Sequence, residues 1–452
     1  MSALQAIFEL VDAPDPYRQA PADLRALQLE AVRDLSAKRR AQIKVLERRA
    51  AEVGLGDVTE LQQVVPLLFS HTTFKTYPES FVDHGRWSRM NVWLQTLSTR
   101  PVDVPDIEGV RDVDDWVARL RDAGHFVFTS SGTSGKPSFM NHTAADLEVS
   151  NRAMVTCMRN SHPAFRAGKR PVFVPFPRYG THRMIEQVGN AVRAIGREGD
   201  IYFLSDEPAT AGDTMRGARM RRAIANGTAT PAEIAEFEAA GQRRQQRVGE
   251  DLSKLLDRLL ECRHEPVFIN GMWPLIYLLV QSSRKRGIAD GDFHPDTVIT
   301  IGGGLKGAKL PPDFREQVQR FFGVPTRNYA MTYGMVEMTG TAPYSYEAEG
   351  YALPPWIVPL VLDKAGEKLL NPADGKGVVE GRFAFIDLLV EGRWGGIITG
   401  DKVTVDFSPD RDDLRTAVVR DIARYQDLEE GEDKLSCAGT MEEYVRGAVE
   451  DT

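Results

Sequence analysis

The chain has 452 residues, 42% of them apolar, enough to bury a large core in one α/β unit or in two to three smaller lobes. Its 64 acidic and 56 basic side chains give a net charge of -8 with the signs interspersed, which argues against a nucleic-acid partner. Three cysteines, Cys157, Cys262 and Cys437, lack CxxC spacing; this argues against a disulfide framework or a zinc ribbon and fits a reducing cytoplasm.

The N-terminal residues carry acids where a secretion signal carries lysines, and they lack its unbroken apolar core. The longest apolar stretch, 266–280, is interrupted by Asn270, Gly271 and Pro274 and is too short to cross a bilayer, so a cytoplasmic protein without a membrane span is expected. Over 20–54, Leu24, Leu27, Val32, Leu35, Ile43 and Leu46 form a helical pattern of apolar positions three and four apart. A turn-rich segment then leads to a short helix at 113–122, and residues 1–122 are expected to form a helical segment packed on the main lobe. The run HFVFT at 125–129 reads as a buried strand that delivers a Ser/Gly-rich loop. Similar runs at 171–175, 201–204, 266–269 and 297–301 are each followed by Gly, Pro or Asn and a helical stretch. That alternation predicts a mostly parallel sheet covered on both faces, an α/β core over 123–345. Residues 211–264 interrupt it with a long charged helical stretch, including RGARMRR at 216–222, that reads as a solvated face. The β-like pieces WIVPLVLD, GVVEGRFAFIDL and GRWGGIITGDKVTVDF predict a smaller β-rich subdomain over 346–423.

Three loops point to a nucleotide. The first is TSSGTSGKPS at 129–138, in which Ser130, Ser131, Gly132, Thr133, Ser134, Gly135 and Lys136 offer hydroxyls, bare amides and a cation suited to wrapping a polyphosphate. A mononucleotide P-loop fails here, because Ser130 stands five before Gly135 and Pro137 follows the lysine. The second is IGGGLKG at 301–307, where Gly302, Gly304 and Gly307 satisfy G-x-G-x-x-G. A dinucleotide fold also needs a second strand ending in an acid about twenty residues on, and the run there, FFGVPTRNYAMTYG at 321–334, has none before Glu337. The third is NYAMTYGMVEMTG at 328–340, with an aromatic ring able to stack on adenine and a carboxylate able to hold magnesium.

The run at 130–137 resembles the phosphate-binding signature of the acyl- and aryl-adenylate-forming (ANL) superfamily, in the SSGTTGKP form of its phenylacetate-CoA ligase branch. GGGLKG is similar to the GGGWK run of acyl-protein synthetases. Tyr333, Gly334 and Glu337 match the family's Y-G-x-T-E, with Val336 for threonine. Thr399, Gly400 and Asp401 match its T-G-D, and Arg424 with Asp427 its R-x-x-D turn. The resemblance implies the superfamily's large N-terminal lobe of stacked α/β sheets with a small β-rich subdomain. It implies ATP held by the three loops, Asp401 on the ribose, and magnesium at Glu337 and Thr133.

DKLSCAG at 433–439 fits the family's D-x-I-K-x-x-G with Ser436 in place of lysine, so residues 424–452 are expected to be a stub of the mobile C-terminal lid. The charge of the lid lysine would then come from Lys136, Lys306, Arg178 or another subunit. Together with GGGLKG and the helical N-terminal segment, this makes the acyl-protein synthetase component of bacterial luminescence fatty-acid reductases the nearest family. The resemblance implies acyl transfer to a cysteine near the C-terminus, here Cys437 with Lys434 close in sequence. An acyl reductase or acyl-carrier protein is the implied partner. His182 or Arg178 is expected to line the carboxylate pocket. Met272, Trp273, Leu275 and Ile276, with Thr339-Gly340, are expected to line the acyl pocket. Three rivals stand beside this reading: an acid:CoA ligase that consumes CoA, a nonenzymatic nucleotide-binding subunit, and an NAD-dependent oxidoreductase using GGGLKG.

Overall fold

Apolar runs bounded by Gly, Pro and Asn become strands in the computed structural model, which describes residues 1–130, 136–305, 308–408, 413–428 and 441–447. The structure is mixed α/β and groups into two units. The first comprises Met1–Thr129, Ser138–Cys157 and Val336–Thr452, so the helical N-terminal segment shares a unit with the β-rich C-terminal part. The second comprises Ser130–Pro137 and Met158–Met335. No described helix is long and apolar enough to cross a membrane.

In the second unit five parallel strands lie in the order Gly196–Phe203, Arg170–Val174, Phe268–Gly271, Val298–Gly302, Tyr329–Tyr333. Both faces are covered, which is why Val172, Phe173 and Val174 are all buried in succession rather than alternating. Helices Trp273–Lys285 and Phe314–Phe322 contribute Ile276, Leu279, Val318 and Phe322 to the core cluster that contains Ile269, Ile299 and Ile301. The charged stretch expected as one element is two helices, Ala211–Ala225 and Pro231–Glu261. Gly227 takes φ +67° in the break, and Thr230 restarts the chain with a reciprocal capping box to Glu233 and Pro231 in the first turn. The long helix buries only Leu255, Leu256 and Leu259, at its C-terminal end, so most of it is the solvated face expected from its charge.

The first unit holds an antiparallel sheet in the order Ile357–Leu362, Val378–Asp387, Gly396–Asp406, Val418–Arg424, Gly350–Ala352, Ala342–Ser345. The N-terminal helical pattern resolves into Leu24–Gln42 and Lys44–Glu52, parted at Ile43, whose backbone is extended. The HFVFT run differs from its reading as a strand of the parallel sheet. Only Phe128–Thr129 is strand, and it pairs antiparallel with Phe139–Met140 in a two-stranded hairpin. Buried rings fix this hairpin: Phe139 lies 5.1 Å from Tyr77 and 5.4 Å from Trp116, centroid to centroid.

Candidate functional site

Strand Gly396–Asp406 changes neighbour partway along one edge. Its first residues pair in parallel with Phe69–Ser70, Ile397 opposite Phe69 and Ile398 opposite Ser70, whereas Asp401 is opposite Arg424 on the antiparallel strand Val418–Arg424. Between these partners Thr399 and Gly400 sit at a fork in the sheet. The chain leaving the short strand turns over this fork: the His71 amide donates to the Ile398 carbonyl at 2.9 Å, and a Cβ on Gly400 would lie 3.4 Å from the His71 ring. Thr399 holds the turn by donating its hydroxyl to the Phe383 carbonyl at 2.7 Å and accepting from the Asp401 amide at 3.1 Å. The Asp401 side chain is only 10% exposed, and one of its oxygens lies 3.7 Å from Nε of Arg424.

Glu337, 7% exposed, begins a loop pinned on both sides by buried side chains. Fully buried Arg393 donates to the Glu337 carbonyl at 2.8 Å and to the Trp394 carbonyl at 3.0 Å. Asp387 accepts from the Thr339 amide at 2.7 Å, and the Trp356 indole donates to the Thr339 carbonyl at 2.9 Å. Gly340 follows at φ +79°, where a Cβ would lie 2.8 Å from the Cys157 sulfur, so both backbone and space require glycine. Burial pulls the Arg393 guanidinium below its ordinary value, and Asp387, Asp146 and Glu337 oppose that shift. A cation here holds the backbone of the Glu337 loop rather than meeting solvent.

Lys75 enters the same neighbourhood from the 3-10 turn Thr73–Lys75. Its half-buried amine interacts electrostatically with Glu337 and Arg424. Burial lowers its pKa most, Glu337 raises it and Arg424 lowers it. Magnesium takes one or two carboxylates and fills its other positions with water and substrate oxygens. A single buried carboxylate at Glu337 fits that demand, and among the described residues no three His, Cys, Asp or Glu side chains form a closed metal cage.

In the second unit, adjacent parallel strands bring two of the loops expected to bind a nucleotide together at their C-terminal ends, where open α/β sheets bind ligands. Gly302 pairs with Thr332, setting Gly302, Gly303 and Gly304 beside Tyr333 and Gly334. A Cβ at Gly302 would lie 3.1 Å from the Thr332 hydroxyl, and Gly303 takes φ +69°. Arg178 follows strand Arg170–Val174, pairs with Asp206 at 3.0 Å, and stacks its guanidinium 5.1 Å from the Phe203 ring centroid. That pairing commits part of the charge expected to serve a carboxylate. His182 is half-buried immediately before helix Arg183–Ile195 and makes no side-chain cap to it. Ser130 and Lys136 are half-buried, on either side of residues 131–135. Trp273 and Ile276, expected in an acyl pocket, belong to the core instead; the Trp273 ring packs 5.4 Å from Phe314. Met272 and Leu275 are half-buried.

Ser131, Gly132, Thr133, Ser134, Gly135, Lys306, Lys434, Ser436 and Cys437 lie outside the described residues. The chain is described again from Met441, which is fully buried, and the Thr72 hydroxyl at the sheet fork donates to Glu442. Cys262 caps the long helix at its C-terminus and is partly buried, packed against the core cluster of the second unit.

Cys157 is fully buried, and burial pushes its thiol from 9.0 up to about 11. The folded chain therefore keeps a proton that the unfolded chain releases above pH 9.0. Fewer protons bound in the unfolded state means that this group's contribution to stability falls as pH rises from 9.0 toward about 11. A Cys157→Ala variant is expected to lose less stability than the parent over that window, read from urea midpoints. An identical pH slope in both proteins would contradict the assignment.

The chain matches no protein-family profile and no curated protein. Among solved structures it is similar to the complex described as McyG A-PCP with phenylalanyl-adenylate, at 11% identity and a TM-score of 0.35, covering 66% of this chain and 41% of that one. It is also similar to an acyl-CoA synthetase (AMP-forming)/AMP-acid ligase II-like protein from Dyadobacter fermentans, at 14% identity and a TM-score of 0.31, covering 70% and 69%. The chain thus spans about two fifths of the first of these structures.

Proposed function

We propose that this chain uses ATP and magnesium to activate a hydrophobic carboxylic acid as its acyl-adenylate and then passes the acyl group to a protein thiol, as an acyl-protein synthetase does. The observation that carries the reading is the sheet fork. A nearly buried carboxylate, Asp401, stands beside Arg424 and next to a glycine over which the His71 ring lies. Such a carboxylate is suited to accept hydrogen bonds from two ribose hydroxyls at once. Further support comes from Glu337, held on a loop clamped by Arg393 and Asp387, and from the glycine loop beside Tyr333.

In the proposed reaction one oxygen of the acid attacks the α-phosphorus of ATP, the bond from that phosphorus to the β-phosphate oxygen breaks, and pyrophosphate leaves. A thiolate then attacks the acyl carbon, and AMP departs with the bridging oxygen. Magnesium, when bound, neutralises phosphate charge. Asp401 orients the ribose, Glu337 holds the cation, and the buried surroundings strengthen both interactions by excluding water. Cys437 is the proposed acceptor, and CoA is the alternative.

The test is pyrophosphate release over a panel of aryl and fatty acids, with and without CoA, followed by intact-mass analysis. The proposal expects release without CoA and an acyl adduct on the protein that Cys437→Ser removes. Release that requires CoA would replace the acceptor. Nucleotide binding with no release for any acid would replace the enzyme with a binding subunit.

A further inference from the structure

Among the described residues of the first unit, the sequence motifs place one cation beside Asp401, exposed Arg424, whose side chain is 64% accessible. A second cation reaches the same place from a segment without a motif. Strand Phe69–Ser70 ends against the fork, His71 is fixed by the Ile398 carbonyl, and the Lys75 amide closes the following turn on the Thr72 carbonyl at 2.8 Å. The turn is anchored from beneath. Phe74 is buried, its ring 6.2 Å from Phe69 and 5.6 Å from the Arg393 guanidinium. The Thr76 hydroxyl donates to the Thr73 carbonyl at 2.8 Å and accepts from the Trp93 indole at 3.0 Å. Lys75 is therefore a half-buried amine on a rigid turn, within electrostatic reach of both Glu337 and Arg424.

A lysine kept only to pair one carboxylate at the surface contributes little to stability. One within electrostatic reach of a buried acid and of a second cation suits an additional anion, because a negative ligand relieves the repulsion between the two positive groups. We propose that Lys75 is a ligand-contacting residue of this site, donating its ammonium to a phosphoryl oxygen of the bound nucleotide. The proposal rests on the nucleotide-binding reading above and names a cation that the three loops leave out.

The test is calorimetric titration of the full chain with magnesium ATP and, separately, with adenosine, for the parent, Lys75→Met, Lys75→Arg and Asp401→Ala. Lys75→Met is expected to weaken ATP binding about tenfold or more while leaving adenosine binding and the melting temperature at parental values. Lys75→Arg is expected to recover most of the ATP affinity. Asp401→Ala should weaken both ligands. Parental ATP affinity in Lys75→Met, with Asp401→Ala impaired, would overturn the role of Lys75 alone. Equal losses for ATP and adenosine in Lys75→Met would make it structural. A parent chain that binds neither ligand would overturn the nucleotide-binding reading along with it.

Discussion

Asp401→Ala is expected to lower acid-dependent pyrophosphate release at least about a hundredfold, because two hydrogen bonds to a charged acceptor, each worth roughly 1.5–3 kcal/mol, are lost together. The loss of its ion pair with Arg424, exposed and 3.7 Å away, should cost little stability. Ion pairs of that kind contribute about 0–1 kcal/mol, a shift of at most a few degrees in a chain of this size. Activity and melting temperature measured on the same preparation separate the two roles. A variant that melts far below the parent would make Asp401 part of the fold rather than of the ligand site.

Arg393→Met should have the reverse signature, with a loss of about 3–5 kcal/mol of folding stability, because removing one member of a buried charged cluster strands the rest. Arg393 is fully buried with the carboxylates of Asp387, Asp146 and Glu337 around it. Asp146 has other support, accepting from the amides of Thr143, Glu391 and Gly392 at 2.6 to 2.8 Å. Asp387 has the amides of Thr339 and Leu389, at 2.7 and 3.1 Å. The Glu337 carbonyl loses its guanidinium donor at 2.8 Å. Urea denaturation of the parent, Arg393→Met and Arg393→Lys checks this. The lysine variant keeps the charge but not the fork that reaches two carbonyls at once, and should fall between the other two. A loss below about 1 kcal/mol in Arg393→Met would show that the clamp is not needed.

Much of the α/β layering was legible in the sequence, because the runs at 171–175, 201–204, 266–269 and 297–301 carry local β signals bounded by breakers, and each contributes to a strand. Tyr329–Tyr333 was visible only as part of a motif. HFVFT misled because an apolar run of that length does not reveal its partner, and pairing with Phe139–Met140 across a loop is a tertiary fact. The motif residues at the fork were legible one by one. Their pairing was not, since the opposition of Asp401 and Arg424 depends on a register that shifts between Lys402 and Thr404. Lys75 and Arg393 gave no signal at all: Lys75 falls in no motif, Arg393 reads only as part of a β-like piece, and both side chains acquire their meaning from carboxylates that include Glu337, far along the chain from Lys75.

The chemistry itself is tested most directly by following oxygen. With a substrate acid labelled in its carboxylate with oxygen-18, turnover in the presence of ATP and a thiol acceptor is predicted to place one labelled oxygen in AMP and none in pyrophosphate, since the acid oxygen bonds to the α-phosphorus and leaves with it. Unlabelled AMP, or label in inorganic phosphate, would contradict an acyl-adenylate and with it the central claim about this site.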